Sequence, residues 1–180
     1  QYPYNAGSTQ ITILIPSEFV TSIGIKDEYR NKEGMKKIKA AIEKVFEYSP
    51  PEQTLITMYP EREEFEGKNL KQIAEMTGKS ASDCYVEMVS EKMAPMGVFF
   101  QQEESVVREI MPHDFIITGS DGWTVPKGMT RPHPRTYGCF PRKLRRYVLE
   151  AKLMSLPAAI RSMTSLPAEK FRLKGRGRIA

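Results

Sequence analysis

The chain has little cysteine and no long hydrophobic run. Its two cysteines, Cys84 and Cys139, are too few for a disulfide framework. No apolar stretch approaches the roughly 20 residues that a membrane-spanning helix needs, and no secretory signal is visible. We therefore expect a cytoplasmic protein. Its 180 residues, 40% of them hydrophobic, are enough for one domain with a buried core.

Aromatic residues are scarce among the basic residues that give the chain its net charge of +5. Much of the basic excess lies after residue 130, and a basic patch can bind nucleic acid. A surface that stacks bases, however, interleaves aromatic side chains with the basic ones. We therefore expect neither nucleic acid nor a membrane as a partner, and nucleic-acid binding is kept as an alternative.

Hydrophobic periodicity and capping residues predict most of the helices. A helix is predicted over residues 27–48, because Ile38 and Ile42 belong to an apolar stripe at helical spacing. Asn69 is placed to cap a second helix, and Gly78 lies just beyond its end. The other predicted elements are strands over 54–58 and 97–101 and helices over 80–89, 103–111 and 142–151 and after Ser155 and Ser165.

A carboxylate between two glycines follows an apolar run in the second half of the chain. Residues 115–117 are apolar and β-prone, which predicts a buried strand. Asp121 lies between Gly119 and Gly122, where the backbone can turn sharply and leave the carboxylate open to a ligand. The same pattern also fits an ordinary turn, since Asp and Gly favour turns.

Four segments together resemble the C-terminal part of the N-acyl-D-amino-acid deacylases (D-aminoacylases) of the metal-dependent amidohydrolase superfamily. They are YPYNAGST at residues 2–9, GSDG at 119–122, HPRTYGCFPRKLRRYV at 133–148 and LPAAIRSMTSLPAEKFRLKGRGRIA at 156–180. A fifth segment, FEGKNLKQIAEMTGKSASD at 65–83, resembles an insertion of the same family. The combination is specific, and the similarity covers most of the chain.

The resemblance implies an α/β fold, the C-terminal portion of a metal-dependent hydrolase (β/α)8 barrel with an inserted α+β subdomain. Residues 1–10 would be a barrel strand end and a substrate loop, and residues 11–96 the inserted subdomain. Residues 97–180 would hold the last barrel elements and the C-terminal helices. The order of strand, helix and strand over 97–117 fits a βαβ crossover. Asp121 would then lie at the C-terminal end of a barrel strand, where catalytic groups are found.

The resemblance also implies a reaction, the hydrolysis of an N-acyl-D-amino acid to a carboxylate and a D-amino acid. Asp121 would be the general base, taking the proton of the attacking water, and would also contact a zinc ion. Tyr2, Ser8 and Thr9 would hold the substrate carboxylate. His133 and Arg135 would bind anionic substrate or orient their own loop.

Histidine is too scarce for the zinc site that the family carries. Such enzymes have a His-x-His pair and two further histidines, whereas this chain has only His113 and His133. We therefore expect a fragment of a longer zinc enzyme. By itself it would be inactive and hold no tightly bound zinc. It would need the missing N-terminal part as a partner or associate with itself. His113 is expected to be structural.

Two alternative functions stay open at this point. One is a related cyclic-amide hydrolase, similar to hydantoinase or dihydroorotase. The other is a non-catalytic binding module. The motifs YPYNAGST and HPRTYG favour the deacylase, and the sequence upstream of Gln1 would separate a catalytic protein from a non-catalytic one.

Overall fold

The computed structural model describes residues 1–21, 24–124 and 132–179. Most of the loop predicted between Asp121 and His133 lies outside the described residues. The described chain divides into two compact units. One, the sheet unit, comprises residues 6–21, 24–101 and 132, and the other, the helical unit, comprises residues 1–5, 102–124 and 133–179.

The sheet unit contains a three-stranded antiparallel sheet. Its strands are β1 (Gly7–Gln10), β2 (Thr54–Met58) and β3 (Met96–Phe99), in the order β1-β3-β2. β2 was predicted over the same residues, and β3 begins one residue before the predicted strand. Both partners pair antiparallel with β3, so the central strand is the last one in sequence.

Three α-helices pack in the sheet unit. They are α1 (Lys32–Phe46), α2 (Leu70–Thr77) and α3 (Ala81–Ser90), and α1 buries the predicted apolar stripe. At the start of α2 the Asn69 side chain accepts from the Gln72 N–H, and the Gln72 side chain accepts from the Asn69 N–H. Gly78 ends α2 with a φ of 68°. Short 3-10 helices connect these elements at Ile11–Leu14, Ser17–Phe19, Asp27–Tyr29, Pro51–Gln53 and Pro60–Phe65.

The helical unit has four α-helices. They are α4 (Glu104–Ile110), α5 (Arg135–Arg142), α6 (Leu156–Met163) and α7 (Ser165–Lys170), and α5 continues as a π-helix over Lys143–Glu150. Pro141 has no N–H to donate to the preceding turn, which is consistent with the change of helix type that follows. A small apolar cluster lies between α4 and the π-helix, formed by Val107, Met111 and Tyr147.

The strand predicted over Phe115–Ile117 is wrong for the described structure. These residues form no strand, and Phe115 is 70% exposed. A strand needs a neighbour for its backbone groups, and here the neighbour is a single residue. The N-terminal ammonium of Gln1 donates to the Ile117 carbonyl oxygen, and the Gly119 N–H donates to the Gln1 carbonyl oxygen.

The predicted crossover is not formed either, because residues 115–117 form no strand that could pair parallel to β3. β3 pairs instead antiparallel with β1 and β2. β1 and β3 belong to the same compact unit as the described residues between them, and the predicted division into barrel elements and an inserted subdomain stays a prediction. The described residues form no barrel, and the barrel stays a prediction for the protein that contains them. No helix within the described ranges is both long enough and apolar enough to cross a membrane.

Candidate functional site

A sharp turn presents the Asp121 carboxylate to solvent. Asp121 has a φ of 48°, and its side chain is 69% exposed. A short polar side chain tolerates this left-handed conformation better than most others. Gly122 follows with its N–H donated to the Ser120 hydroxyl at 3.2 Å. A Cβ atom at Gly122 would lie 2.8 Å from the Cα atom of Thr136, so only glycine allows the turn to approach α5 this closely.

A buried arginine holds the Asp121 carboxylate. Nη2 of Arg135 lies 2.9 Å from Oδ2 of Asp121, and the Arg135 side chain is only 7% exposed. The guanidinium also stacks on the Tyr2 ring, with 4.7 Å between its central carbon and the ring centroid. An arginine is always charged and keeps a planar fork of donors. The turn therefore sets an exposed carboxylate against a fixed, largely desolvated cation.

His133 supports the first turn of α5. Its Nδ1 accepts a hydrogen bond from the Arg135 N–H at 3.0 Å, which satisfies one of the donors that a helix start leaves open. Because Nδ1 accepts, the proton of the neutral ring lies on Nε2. The imidazole packs edge-on against Tyr2 and Tyr4, with ring centroids 6.3 and 5.2 Å apart. His133 is thus tied to the residue that pairs with Asp121.

Tyr4 and Arg142 belong to the same cluster, although the sequence did not single them out. The Arg142 guanidinium lies 4.7 Å from the Tyr4 ring centroid, and its Nε donates to the Pro3 carbonyl oxygen at 2.6 Å. Burial raises the pKa of the Tyr4 hydroxyl, and the nearby Arg142 charge partly opposes this. Spacing in the sequence could have indicated Arg142, because it lies seven residues after Arg135 and therefore on the same helix face.

A buried lysine lies behind the Asp121 turn. The Lys143 side chain is completely buried, and its Nζ donates to the hydroxyls of Thr118 and Ser162 at 2.6 and 2.7 Å. Desolvation lowers the pKa of this ammonium to about 8, and the Cys139 thiol on the preceding helical turn acts in the opposite direction. Sequence reasoning missed this residue because a lysine in a basic stretch predicts a solvated face.

The predicted substrate-binding residues fall into two groups. Tyr2, His133 and Arg135 come together with Asp121 in the helical unit. Ser8 and Thr9 lie instead in β1 of the sheet unit, opposite Val98 and Gly97 of β3. His113 is exposed and stacks on the Phe115 ring at 5.4 Å, within the helical unit.

The described side chains do not by themselves fit the zinc site that the resemblance implies. Within the described ranges, no group of three or more His, Cys, Asp or Glu side chains could hold a metal ion. Asp121 is paired with Arg135, and His133 uses Nδ1 to accept a backbone hydrogen bond. A catalytic zinc usually takes three protein ligands. Asp121 is therefore a single candidate ligand within this cluster of described side chains.

Comparison with known proteins finds N-acyl-D-amino-acid deacylases. The chain is 41% identical over 115 residues to N-acyl-D-glutamate deacylase of Alcaligenes xylosoxydans xylosoxydans, which covers 63% of this chain and 22% of that protein. It is 35% identical over 127 residues to D-aminoacylase of the same organism, covering 70% of this chain and 25% of the relative. A scan against protein-family models finds no match.

A solved structure agrees with the sequence relatives. The crystal structure of N-acyl-D-glutamate deacylase from Bordetella bronchiseptica, complexed with zinc and a phosphonate inhibitor, matches with a TM-score of 0.67 and 31% identity. The match covers 98% of this chain and 29% of that one. The chain thus spans less than a third of the length of the proteins it matches. Over that span, the resemblance is confirmed, and the chain is related in sequence and in structure to the N-acyl-D-amino-acid deacylases.

Proposed function

We propose that this chain is part of a zinc-dependent hydrolase that cleaves N-acyl-D-amino acids to a carboxylate and a D-amino acid. The observation that carries the proposal is one cluster. Tyr2 is far in sequence from Asp121, His133 and Arg135, yet contacts join the four in one unit of a chain related to such deacylases. The relatives are deacylases, which favours this reading over a cyclic-amide hydrolase or a non-catalytic module.

Backbone hydrogen bonds at Gln1 support the barrel setting of Asp121. Gln1 donates to Ile117 and accepts from Gly119, two residues further along. This pattern is the one by which a residue in one parallel strand is joined to its neighbour strand. Barrel strands are parallel, and catalytic groups follow their C-terminal ends. We propose that Asp121 lies beside the C-terminal end of a barrel strand in the whole enzyme.

Asp121 is proposed as the general base. Amide hydrolysis requires that the attacking water lose a proton and that the leaving nitrogen gain one. An exposed carboxylate on a rigid turn can accept the first proton and deliver it to the amine. When zinc is bound, it would polarise the reacting groups and favour ionisation of the water. Its further ligands would have to come from beyond the donors described above.

Arg135 and Tyr2 are proposed to serve the anionic end of the substrate. A guanidinium fork matches the two oxygens of a carboxylate. Tyr2 covers one face of the guanidinium and Asp121 holds one of its nitrogens, which fixes the plane in which further donors point. For Ser8 and Thr9 in β1, a role in holding the substrate carboxylate is proposed on the resemblance alone.

The test of this function is an assay of the enzyme that contains this chain. N-acetyl-D-glutamate, N-acetyl-D-methionine and their L-enantiomers are incubated with the zinc-loaded protein. We expect the D-compounds to be hydrolysed and Asp121→Asn to lower kcat by about 10²–10⁴-fold, because an amide cannot accept the proton. The matched control is Asp114→Asn, which makes the same change at an exposed position of the same unit. No turnover of any D-substrate, or full activity of Asp121→Asn, would overturn the proposal.

The 180-residue chain by itself is proposed to be inactive. Its described residues provide one candidate zinc ligand where a catalytic site uses about three. The measurement is metal analysis after dialysis, together with N-acetyl-D-methionine hydrolysis in added zinc. One tightly held zinc per chain, or turnover above background, would contradict this statement and point to another ligand set.

A further inference from the structure

Lys143 is a buried cation without a carboxylate partner. Its side chain is fully buried at the start of the π-helix, and among the described residues no Asp or Glu forms an ion pair with it. Removing an ammonium from water costs several kcal/mol in a typical protein interior. Methionine or leucine would fill a similar volume without that cost. The segments that its hydrogen bonds join give this lysine a structural reason.

The Lys143 ammonium joins two segments that are distant in sequence. It donates to the Thr118 hydroxyl, which begins the segment leading into the Asp121 turn, and to the Ser162 hydroxyl on α6. The backbone strengthens the same link, because the Thr118 N–H donates to the Ser162 carbonyl oxygen at 3.0 Å. Ser162 in turn donates its hydroxyl to the Ala159 carbonyl oxygen at 2.7 Å. Thr118 is thus fixed through both its side chain and its backbone.

Gly119, the residue after Thr118, is bound by a side chain on the same helix face as Lys143. Cys139 lies one helical turn before Lys143 and donates its thiol to the Gly119 carbonyl oxygen at 3.4 Å. The Gly119 N–H is bound on its other side to Gln1. Gly122 closes the turn against Thr136, where no Cβ atom fits. Asp121 therefore stands on a turn that is fixed before and after it.

We propose that Lys143 is a positioning residue for Asp121, acting through Thr118 to fix the turn that carries the carboxylate. The effect on catalysis rests on the proposed role of Asp121. That Lys143 fixes the turn does not depend on that role. Charge-assisted hydrogen bonds are shorter and stronger than neutral ones. A carboxylate that moves protons needs its position fixed by a supporting layer of this kind. The Asp121–Arg135 pair fixes the direction of the side chain, and Lys143 fixes the backbone beneath it.

The kinetic test uses Lys143→Met in the enzyme that contains this chain. We expect kcat to fall by about 10²-fold, the loss typical of a misplaced reacting group. KM should stay within about twofold, because Arg135 and Tyr2 are untouched. Lys170→Met is the matched control, since it removes the same charge from an exposed position on α7. A merely structural lysine would lower the melting temperature and leave kcat of the folded enzyme within twofold of wild type, and that result would overturn the proposal.

A second readout needs no activity. Trp123 is the one tryptophan of the chain, lies two residues beyond Asp121 and is 53% exposed. Its fluorescence therefore reports on the end of the turn. In the 180-residue chain, Lys143→Met should increase acrylamide quenching of Trp123 and lower its anisotropy, whereas Lys170→Met should change neither. Unchanged fluorescence in a folded Lys143→Met chain would show that the lysine does not hold the turn.

Thr118→Val is the milder variant, should Lys143→Met fail to fold. Valine keeps the shape of threonine and removes only the hydroxyl that accepts from Lys143, while Ser162 still binds the ammonium. We expect kcat and Trp123 fluorescence to change in the same direction as in Lys143→Met but by less. Thr118→Ser should give wild-type values. Wild-type behaviour of Thr118→Val would overturn the proposal. If the wild-type enzyme hydrolyses no D-substrate, the proposed function fails, and the Trp123 readout still decides whether Lys143 fixes the turn.

Discussion

The two units of the chain differ in what they bury. Among the described residues of the sheet unit, no His, Lys, Arg, Asp or Glu side chain is buried. Apart from tyrosine and cysteine, its buried polar side chains are hydroxyls: Thr12, Ser49, Thr54, Thr57 and Ser82. The described part of the helical unit buries His133, Arg135 and Lys143, together with the hydroxyls of Thr118 and Ser162 that accept from Lys143.

This difference separates a scaffold from a candidate site. A core of apolar side chains and satisfied hydroxyls stabilises a fold at little electrostatic cost. Buried ionisable groups cost free energy unless they are paired, and they gather where proteins do chemistry. Conflicts between burial and charge are expected at functional positions. The helical unit therefore holds the candidate site around Asp121.

The largest expected effect on stability belongs to the core of the sheet unit. Ile42 of α1 is fully buried in the apolar cluster. Ile42→Ala should lower the free energy of unfolding by about 2–5 kcal/mol, because it removes buried methyl groups and leaves a cavity. Chemical denaturation measures the change. Ile13→Ala is the control, since Ile13 is 66% exposed, and it should cost little.

The same variant should leave the Asp121 turn unchanged. Without denaturant, Trp123 fluorescence of folded Ile42→Ala should equal that of wild type. A changed Trp123 signal would show that the sheet-unit core also sets the turn, and the contrast between scaffold and site would then fail.

Arg135 should have the next largest effect, on catalysis. Arg135→Lys keeps the charge but loses the planar fork and the stacking on Tyr2. We expect kcat/KM of the enzyme that contains this chain to fall by about 10²-fold, since lysine binds a carboxylate as a point charge. The control is Arg145→Lys, an exposed position on the same continuous helix. Equal activity of the two variants would remove Arg135 from the site.

The buried ammonium of Lys143 should make stability depend on pH. Its pKa in the folded state is about 8, below its ordinary value of 10.5. Between these values the unfolded chain binds one more proton than the folded chain. The free energy of unfolding therefore rises with pH, by about 1.4 kcal/mol per pH unit, and below about pH 8 this slope vanishes.

The measurement is the free energy of unfolding of wild type and of Lys143→Met, compared between pH 8 and pH 9. Burial raises the pKa of Cys139, the thiol facing Lys143, and the N-terminal ammonium and Arg135 oppose this. A raised thiol pKa lowers stability as pH rises, so only the difference between the two proteins isolates Lys143. We expect a positive slope of that difference. Parallel stability curves would show that Lys143 titrates as an exposed lysine does.

Local signals predicted the sheet unit better than the helical one. The α1 stripe, the Asn69 cap and the Gly78 end are readable within a few residues, because helix signals are local. Burial of Lys143 depends on hydroxyls 19 and 25 residues away, which no local pattern reveals.

The predicted strand at residues 115–117 failed for a related reason. An apolar, β-branched run suits a strand, but a strand also needs a partner for its backbone groups. Among the described residues, only Gln1 meets this segment as a parallel neighbour would. The candidate site was found in part through the resemblance, which indicated Asp121, Arg135 and Tyr2. Their contacts with one another required the structure.

The smallest expected effect belongs to the Asn69 cap of α2. The Asn69 side chain accepts from the Gln72 N–H, and the Gln72 side chain accepts from the Asn69 N–H, so two backbone donors are satisfied reciprocally. Asn69→Ala should lower the free energy of unfolding by about 1 kcal/mol, because the Gln72 N–H then depends on water. Asn69→Asp should lower it less, since a carboxylate caps equally well and suits the helix start.

Both Asn69 variants should leave Trp123 quenching and the pH slope of stability at wild-type values. A cap in the sheet unit contributes to the scaffold, and it contains no ionisable group that burial perturbs. A loss well above 1 kcal/mol would mean that losing the cap also disturbs the packing of Leu70 and Ile73, the fully buried residues of α2. A changed Trp123 signal from so small and local a substitution would be the more serious result, because it would couple the least perturbed helix start of the scaffold to the turn that carries Asp121.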